Sequence, residues 1–335
     1  MCPDSHFGIA PCNLCGGTDY RAVLQGPDFR VGGQILYHLY ECRSCGLTSL
    51  QPQSDPSTLG PIYPNWLWEN ETKHSDSPQS RINVTLNVLQ NWHPRPGTLL
   101  DVGCGNGGFM LAAQQTGWQA KGIEISLRQA QVGVKRGADI TVCSDFPAYE
   151  SNVQFDALAF NHVLEHVPLP KAYLIKATSL LKPDGILLVS VPNYDCLSRR
   201  LFGKYWTHLD LPRHLFHFTP KTLGRLLESI DCHLLAAYTN IREDNSVGIR
   251  DSIFRWVVYG LLHREPGLHQ SLQSYANGNK TGLQKAMVNV YRSFGNVAAS
   301  ITERLNIADT FIVVAQPITR SNRIQLRRSS QFSRE

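Results

Sequence analysis

The chain has 335 residues, 42 % apolar and 18 % charged, with a formal net charge of +5. That length suits one large core with one or two attachments, and the composition is too ordinary for a disordered chain. No run approaches the ~20 uncharged apolar residues of a membrane span. The opening residues MCPDSHFGIAPC lack the basic start and apolar stretch of a signal peptide, so a soluble, cytoplasmic protein is expected. Four of the five net positive charges lie between Pro317 and Glu335, where five arginines face Glu335 alone. The remainder is nearly neutral, which argues against a basic face broad enough to track nucleic acid.

In chain order, residues 1–60 read as short strands and turns around two cysteine pairs, Cys12/Cys15 and Cys42/Cys45. Residues 61–80 form a linker or cap segment whose PIYPNWLWENETKH is too aromatic for a plain spacer. From Arg81 the pattern becomes α/β. RINVTLNVLQNW has helical spacing, TLLDVGC is a short buried strand ending in glycines, and GGFMLAAQQTG is a helix stopped by glycine. WQAKGIEIS, SLRQAQVGVKRG, ADITVCSD, FDALAFNHV, LPKAYLIKATSLL and DGILLVSVPN continue the alternation, which predicts a largely parallel sheet with helices on both faces. CHLLAAYTN and DTFIVVAQ are expected to close the sheet as an antiparallel pair, separated by a helical insertion over about 246–305. The α/β domain is thus expected over 81–317, with a basic, disordered tail over 318–335.

The run from Leu99 to Gly108, LLDVGCGNGG, places glycines between a buried strand and a helix start, where a ligand can approach bare backbone. Gly103, Gly105 and Gly108 satisfy GxGxxG, a weak signal that also fits a dinucleotide enzyme. Asp101 separates the two. A carboxylate beside that turn repels a pyrophosphate and attracts the ammonium and sulfonium charges of S-adenosylmethionine (SAM). Glu124 ends the next strand, where it can accept from ribose hydroxyls. Asp145 ends the third, where it can accept from the adenine amino group while Phe146 packs on the ring.

DVGCGNGG, IEIS, VCSDF, FDALAFNHVLEHV and LLKPDGILLVSVPN stand in the order and spacing of the class I SAM-dependent methyltransferases, and over Leu99 to Asn193 the chain resembles that family. The resemblance implies a Rossmann-like, seven-stranded, mostly parallel, doubly wound sheet. It also implies cofactor contacts from Asp101, Gly103, Gly105, Glu124 and Asp145, with Asn161 and His162 at the methionine end. Asn106, Gly107 and Gly108 follow as backbone contacts or packing. His162, Glu165 and His166 also spell H-x-x-E-H, a zinc-hydrolase signature on a continuous helix, but the preceding strand and the nearby Pro168 and Pro170 leave no room for one. His162 or His166 at that strand end could instead touch cofactor or substrate.

Each cysteine pair is followed by a glycine, Gly16 or Gly46, which permits the turn that aims backbone N–H groups at sulfur. Four thiolates then close a structural zinc site, in preference to a redox pair or an iron–sulfur cluster. The 26 residues between the pairs are absorbed as a loop at little entropic cost. CRSCGLTSLQPQ leading to IYPNW also resembles methyltransferases with an N-terminal zinc ribbon, which implies that the ribbon helps to cover the active site.

WTHLDLPRHLFHFT reads as a loop overhanging the methyl group, with His208, Asp210, Arg213, His214 and His217 as candidate proton acceptors and His214 and His217 foremost. The acceptor expected is a small molecule methylated on oxygen or carbon, with sugars, glycans and secondary-metabolite intermediates as candidates. The competing readings are an RNA methyltransferase, a lipid-linked acceptor reached through membrane contact by the amphipathic insertion around Trp256, and a SAM-binding protein without turnover.

Overall fold

The structure, a computed structural model, describes residues 10–52, 79–239, 242–263, 293, 295–302, 304, 305 and 307–319. Most of the expected cap segment, the middle of the insertion and the tail from 320 lie outside the described residues. Among those described, no helix is long and apolar enough to cross a membrane.

The chain divides into two compact units. The larger takes its described residues from 79–191, 220–239 and 311–319. Its elements are α1 (Gln79–Trp92), β4 (Thr98–Val102), α2 (Gly108–Gln115), β5 (Gln119–Glu124), α3 (Leu127–Lys135), β6 (Asp139–Val142), β7 (Phe155–Asn161), α4 (Pro170–Leu180), β8 (Leu181–Pro192), α6 (Pro220–Glu228), β10 (Cys232–Tyr238) and β11 (Thr310–Pro317). The seven strands run in the order β10-β11-β8-β7-β4-β5-β6. β4 is parallel to β5 and β7, and β10 is antiparallel to β11, as the sequence predicts.

Local chemistry sets these boundaries. The Ser126 hydroxyl accepts from the Gln129 N–H at 3.3 Å and starts α3, and Pro170 opens α4, where its missing N–H costs nothing. In β8 the run Ile186–Val191 is buried without alternation, as a strand covered on both faces must be. Leu99, Met110, Ala113, Ala157, Leu188 and Val314 sit in one core cluster, which fixes the carboxyl ends of β4, β5 and β7 on one edge.

The smaller unit draws on three stretches, the described residues before 68, 192–219 and 242–310. It contains β1 (Tyr20–Pro27), β2 (Leu36–Cys42), β3 (Thr48–Leu50), α5 (Leu197–Phe202), β9 (Phe216–His217) and α7 (Arg242–Arg255). The four strands form an antiparallel sheet in the order β1-β2-β3-β9. Thr48 pairs with His217 and Ser49 with Phe216. This division differs from the expected one, because the segment after β8 and the insertion gather with the cysteine module. WTHLDLPRHLFHFT folds as two short turns and the two residues of β9. Leu209, Leu211, Leu215, Phe216 and Phe218 are all buried, and that much apolar surface drives the segment inward.

Arg213 is the polar anchor of this unit. Its Nη1 and Nη2 donate to Asp28 Oδ2 and Oδ1, each at 2.8 Å, while Nε and Nη2 donate to Asp210 Oδ1 at 3.1 and 2.9 Å. Arg30 meets the same Asp210 oxygen at 3.0 Å. Burial alone would raise the Asp210 carboxyl, but Arg30 and Arg213 hold it well below the usual carboxylate range. Substituting Arg213→Met strands the buried Asp28 carboxylate and leaves Asp210 with Arg30 alone, at a cost of about 3–5 kcal/mol. Thermal unfolding at neutral pH should show it as a large drop in midpoint.

Candidate functional site

The glycine loop leaves β4 at Gly103, whose φ of +69° is in the left-handed region. The N–H groups of Gly103 and Cys104 both donate to the Ile123 carbonyl, at 2.7 and 3.0 Å. A side chain at Gly103 would run into Val163, and one at Gly107 would meet Ala138 at 2.8 Å, so both positions are required for packing. Gly105, with φ +56°, has nothing within 4 Å of where a side chain would point. Bare backbone at Gly105 therefore faces open space.

Two carboxylates flank this turn. Glu124 Oε2 accepts from Gly105 N–H at 2.8 Å, and Oε1 from Ser126 N–H at 2.7 Å. Asp101 is 2 % exposed and its Oδ1 accepts from Asn161 Nδ2 at 3.3 Å. Burial pushes the Asp101 carboxyl up to about 7, with the Glu124 charge adding to the rise and the Asn161 bond opposing it. Burial raises Glu124 as well, against the N–H bonds of Ser126, Gly105 and Ile125. Among the described residues no cationic side chain pairs with either, and so the pair fits a ligand that brings positive charge and hydroxyl donors.

Thr85 of α1 was not singled out in the sequence. Its hydroxyl donates to Asn161 Oδ1 at 3.4 Å, which fixes the amide with its NH2 toward Asp101. A threonine inside a helix carries no sequence signal for that role.

Asp145 is exposed just beyond β6. Phe146 is buried in an aromatic cluster, 5.9 Å edge-on from Phe160, 6.3 Å from Tyr149 and 5.6 Å from Tyr173. At the end of β7, His162 adopts φ +56°, its N–H donating to the Ser190 carbonyl at 2.9 Å. Its Nδ1 lies 3.3 Å from Oε1 of Glu165, which is 1 % exposed. Residues 164–166 form a turn and His166 N–H donates to the Val163 carbonyl, so the H-x-x-E-H run is not helical.

In the smaller unit, His214 Nδ1 lies 2.8 Å from the His208 carbonyl. A carbonyl only accepts, so Nδ1 carries a proton, while Nε2 faces Asp210 Oδ2 at 4.0 Å. His217 is buried in β9, 5.1 Å from the Tyr194 ring. Burial, aided by the Arg199 charge, lowers its pKa to about 3, which keeps it neutral.

The cysteine pairs fold as matched turns. Gly16 N–H donates to the Cys12 carbonyl and Gly46 N–H to the Cys42 carbonyl, each at 2.8 Å, with φ +72° and +81° at the two glycines. The N–H groups of Leu14 and Cys15 point at Cys12 sulfur, and those of Ser44 and Cys45 at Cys42 sulfur. All four sulfurs lie within 4.8 Å of one another, a donor set that could hold one metal ion.

Residues 79–237 match a family model described as "Methyltransferase domain". A Ubiquinone biosynthesis O-methyltransferase from Xanthomonas campestris pv. campestris (strain B100) is 32 % identical over 178 residues, covering 48 % of this chain and 74 % of that protein. Its namesake from Actinobacillus pleuropneumoniae serotype 5b (strain L20) is 32 % identical over 106 residues, covering 28 % of this chain and 45 % of that one. The Burkholderia thailandensis 1,6-didemethyltoxoflavin-N1-methyltransferase, solved with bound 1,6-didemethyltoxoflavin and S-adenosylhomocysteine, shares 18 % identity with a TM-score of 0.44, covering 57 % of this chain and 87 % of that one. The chain belongs to the SAM-dependent methyltransferase family.

A carboxyl that titrates higher in the folded protein than in the unfolded chain contributes stability at low pH and loses it as pH rises through the folded value. For Asp101 that window runs from the ordinary carboxylate range up to about 7. Urea unfolding at pH 5 and 7.5 should therefore show wild type losing more stability than Asp101→Asn over that interval. The comparison with the variant cancels Asp309, which burial raises to about 6 with the same sign.

Proposed function

We propose that the protein transfers the methyl group of SAM to a small-molecule acceptor, on oxygen in the first instance, with a sugar, a glycan or a secondary-metabolite intermediate as the acceptor. The observation that carries the cofactor half is the buried Asp101–Glu124 pair beside the open face of Gly105. The relatedness to O-methyltransferases supports oxygen as the site of attack.

In this reading SAM supplies an activated methyl group, and the chain's residues bind and orient it. Asp101, held by Asn161 and Thr85, supplies negative charge near the ammonium and sulfonium. Glu124 retains lone pairs for ribose hydroxyls after accepting its two N–H bonds. Gly103 and Gly107 shape the turn so that Gly105 can lie against the ligand, while Asp145 and Phe146 receive the adenine and His162 lies at the methionine end. In-line displacement from a sulfonium rests mainly on positioning and exclusion of water. Where the acceptor is a hydroxyl, His214 or His166 takes its proton. His217, with its lowered pKa, is the weaker base.

Calorimetric titration with SAM tests the cofactor assignment. Wild type should bind in the micromolar range and Asp101→Ala at least tenfold more weakly. Wild-type affinity should fall as pH drops below about 7, because protonation removes the Asp101 charge. Folded wild type that ignores SAM would sink the proposal.

Cys12, Cys15, Cys42 and Cys45 hold structural zinc in the same proposal, since four thiolates with N–H bonds to sulfur match its preferences. The described cysteines are free of disulfides, which fits a reducing, cytoplasmic location. Elemental analysis should find one zinc per chain in wild type and little in Cys42→Ser, whose smaller unit should become sensitive to protease.

A further inference from the structure

Arg255 closes α7 and is 3 % exposed. Its Nη1 donates to the Thr207 carbonyl at 3.3 Å, a long bond, and among the described residues its Nε has no hydrogen-bond partner. Its guanidinium carbon stands 5.7 Å from the centre of the Phe29 ring. Tyr259, one turn on and 6 % exposed, packs on the same ring at 5.0 Å, and its buried hydroxyl is also without a partner among the described residues. Tyr205 closes on Phe29 at 5.6 Å.

The surrounding charges do not balance. Asp28 is fully engaged by the Arg213 fork and by the Arg30 and Val31 N–H groups. Asp210 is shared between Arg213 and Arg30. Asp210 and Asp251 act on Arg255 from a distance, but among the described residues neither forms an ion pair with it. Burial works against its charge, yet a guanidinium does not give up its proton in a protein. An unpaired buried charge is among the costliest features a fold can carry, and the usual compensation is an opposite charge with hydrogen bonds. The helix also changes register here, since Trp256–Leu261 is a π-helical turn, a form that recurs at functional sites.

We infer that Arg255 and Tyr259 form a binding site for a single oxyanion group, the phosphate or carboxylate of a ligand, in the smaller unit. The guanidinium supplies charge and directed N–H donors, the Tyr259 hydroxyl adds a donor, and the Phe29 and Tyr205 rings wall the site against water. The group could arrive as a free ion or as a substituent of a larger molecule. The site is separate from the SAM reading, and either can fail without the other.

Thermal unfolding and calorimetry of the full-length, zinc-loaded protein would test this, using inorganic phosphate, glycerol 3-phosphate and acetate against sodium chloride at matched ionic strength. Wild type should show saturable stabilisation by at least one oxyanion beyond the chloride control. Arg255→Met should lose it, Tyr259→Phe should bind about tenfold more weakly, and Arg255→Met without anion should be at least as stable as wild type. Tighter binding of glycerol 3-phosphate than of phosphate marks a substituent on a larger molecule, and the reverse order marks a free ion. Wild type that responds to no oxyanion beyond chloride overturns the inference, as does an Arg255→Met protein that responds like wild type. If Arg255→Met does not fold, the Tyr259→Phe affinity decides by the same criterion.

Discussion

The convergence of the Gly105 and Ser126 N–H groups on Glu124 ties two loops of the larger unit together. One loop leaves β4 and the other leaves β5, and these strands are parallel neighbours, so both loops emerge at the same edge. Shared acceptance by one buried carboxylate fixes their separation and keeps the Gly105 backbone turned outward. The Asp101 position depends on the same frame. Asp101, in the body of β4 and 2 % exposed, lies just before a glycine turn that carries no covering side chain at Gly105.

The smaller unit is organised by a different device. Its sheet is short, β9 contributing two residues and β3 three, and so few ladder bonds cannot specify a register. Arg213 adds the missing specificity by bonding Asp28 before β2 and Asp210 before β9 in one buried fork. The matched cysteine turns add a second constraint at the far end of β2, where Cys42 is both the last strand residue and a member of the four-sulfur cluster.

Much of the larger unit was legible in the sequence because its signals are local and repetitive. Runs such as TLLDV and ILLVSVP read directly as buried parallel strands, and the glycines after Asp101 mark the turn. The acidic pair followed from those strands, since the residues at their carboxyl ends share an edge. Thr85 was not legible, because its partner Asn161 lies on a distant strand and a helical threonine is unremarked by periodicity. The burial of the WTHLDLPRHLFHFT segment is illegible for a related reason, since its strand partner, Thr48–Ser49, is far away in the chain. Arg255 carried no signal at all, since nothing in the sequence distinguishes a buried arginine from one on a solvated helix face.

The discontinuity of the smaller unit bears on how the chain is made. Its first three strands leave the ribosome early, but β9, which pairs with β3, does not exist until Phe216 and His217 have been added. At ~5–20 residues per second that delay is on the order of ten seconds or more. Throughout it Asp28 lacks Arg213, and β3 presents an unpaired edge to every other nascent chain nearby. The larger unit meanwhile acquires β4 through β8 in sequence, each beside a strand already made. Both units are thus completed late, the smaller with residues up to 310 and the larger only with β11, and the long interval in which β3 lies unpaired is written into the order of the residues.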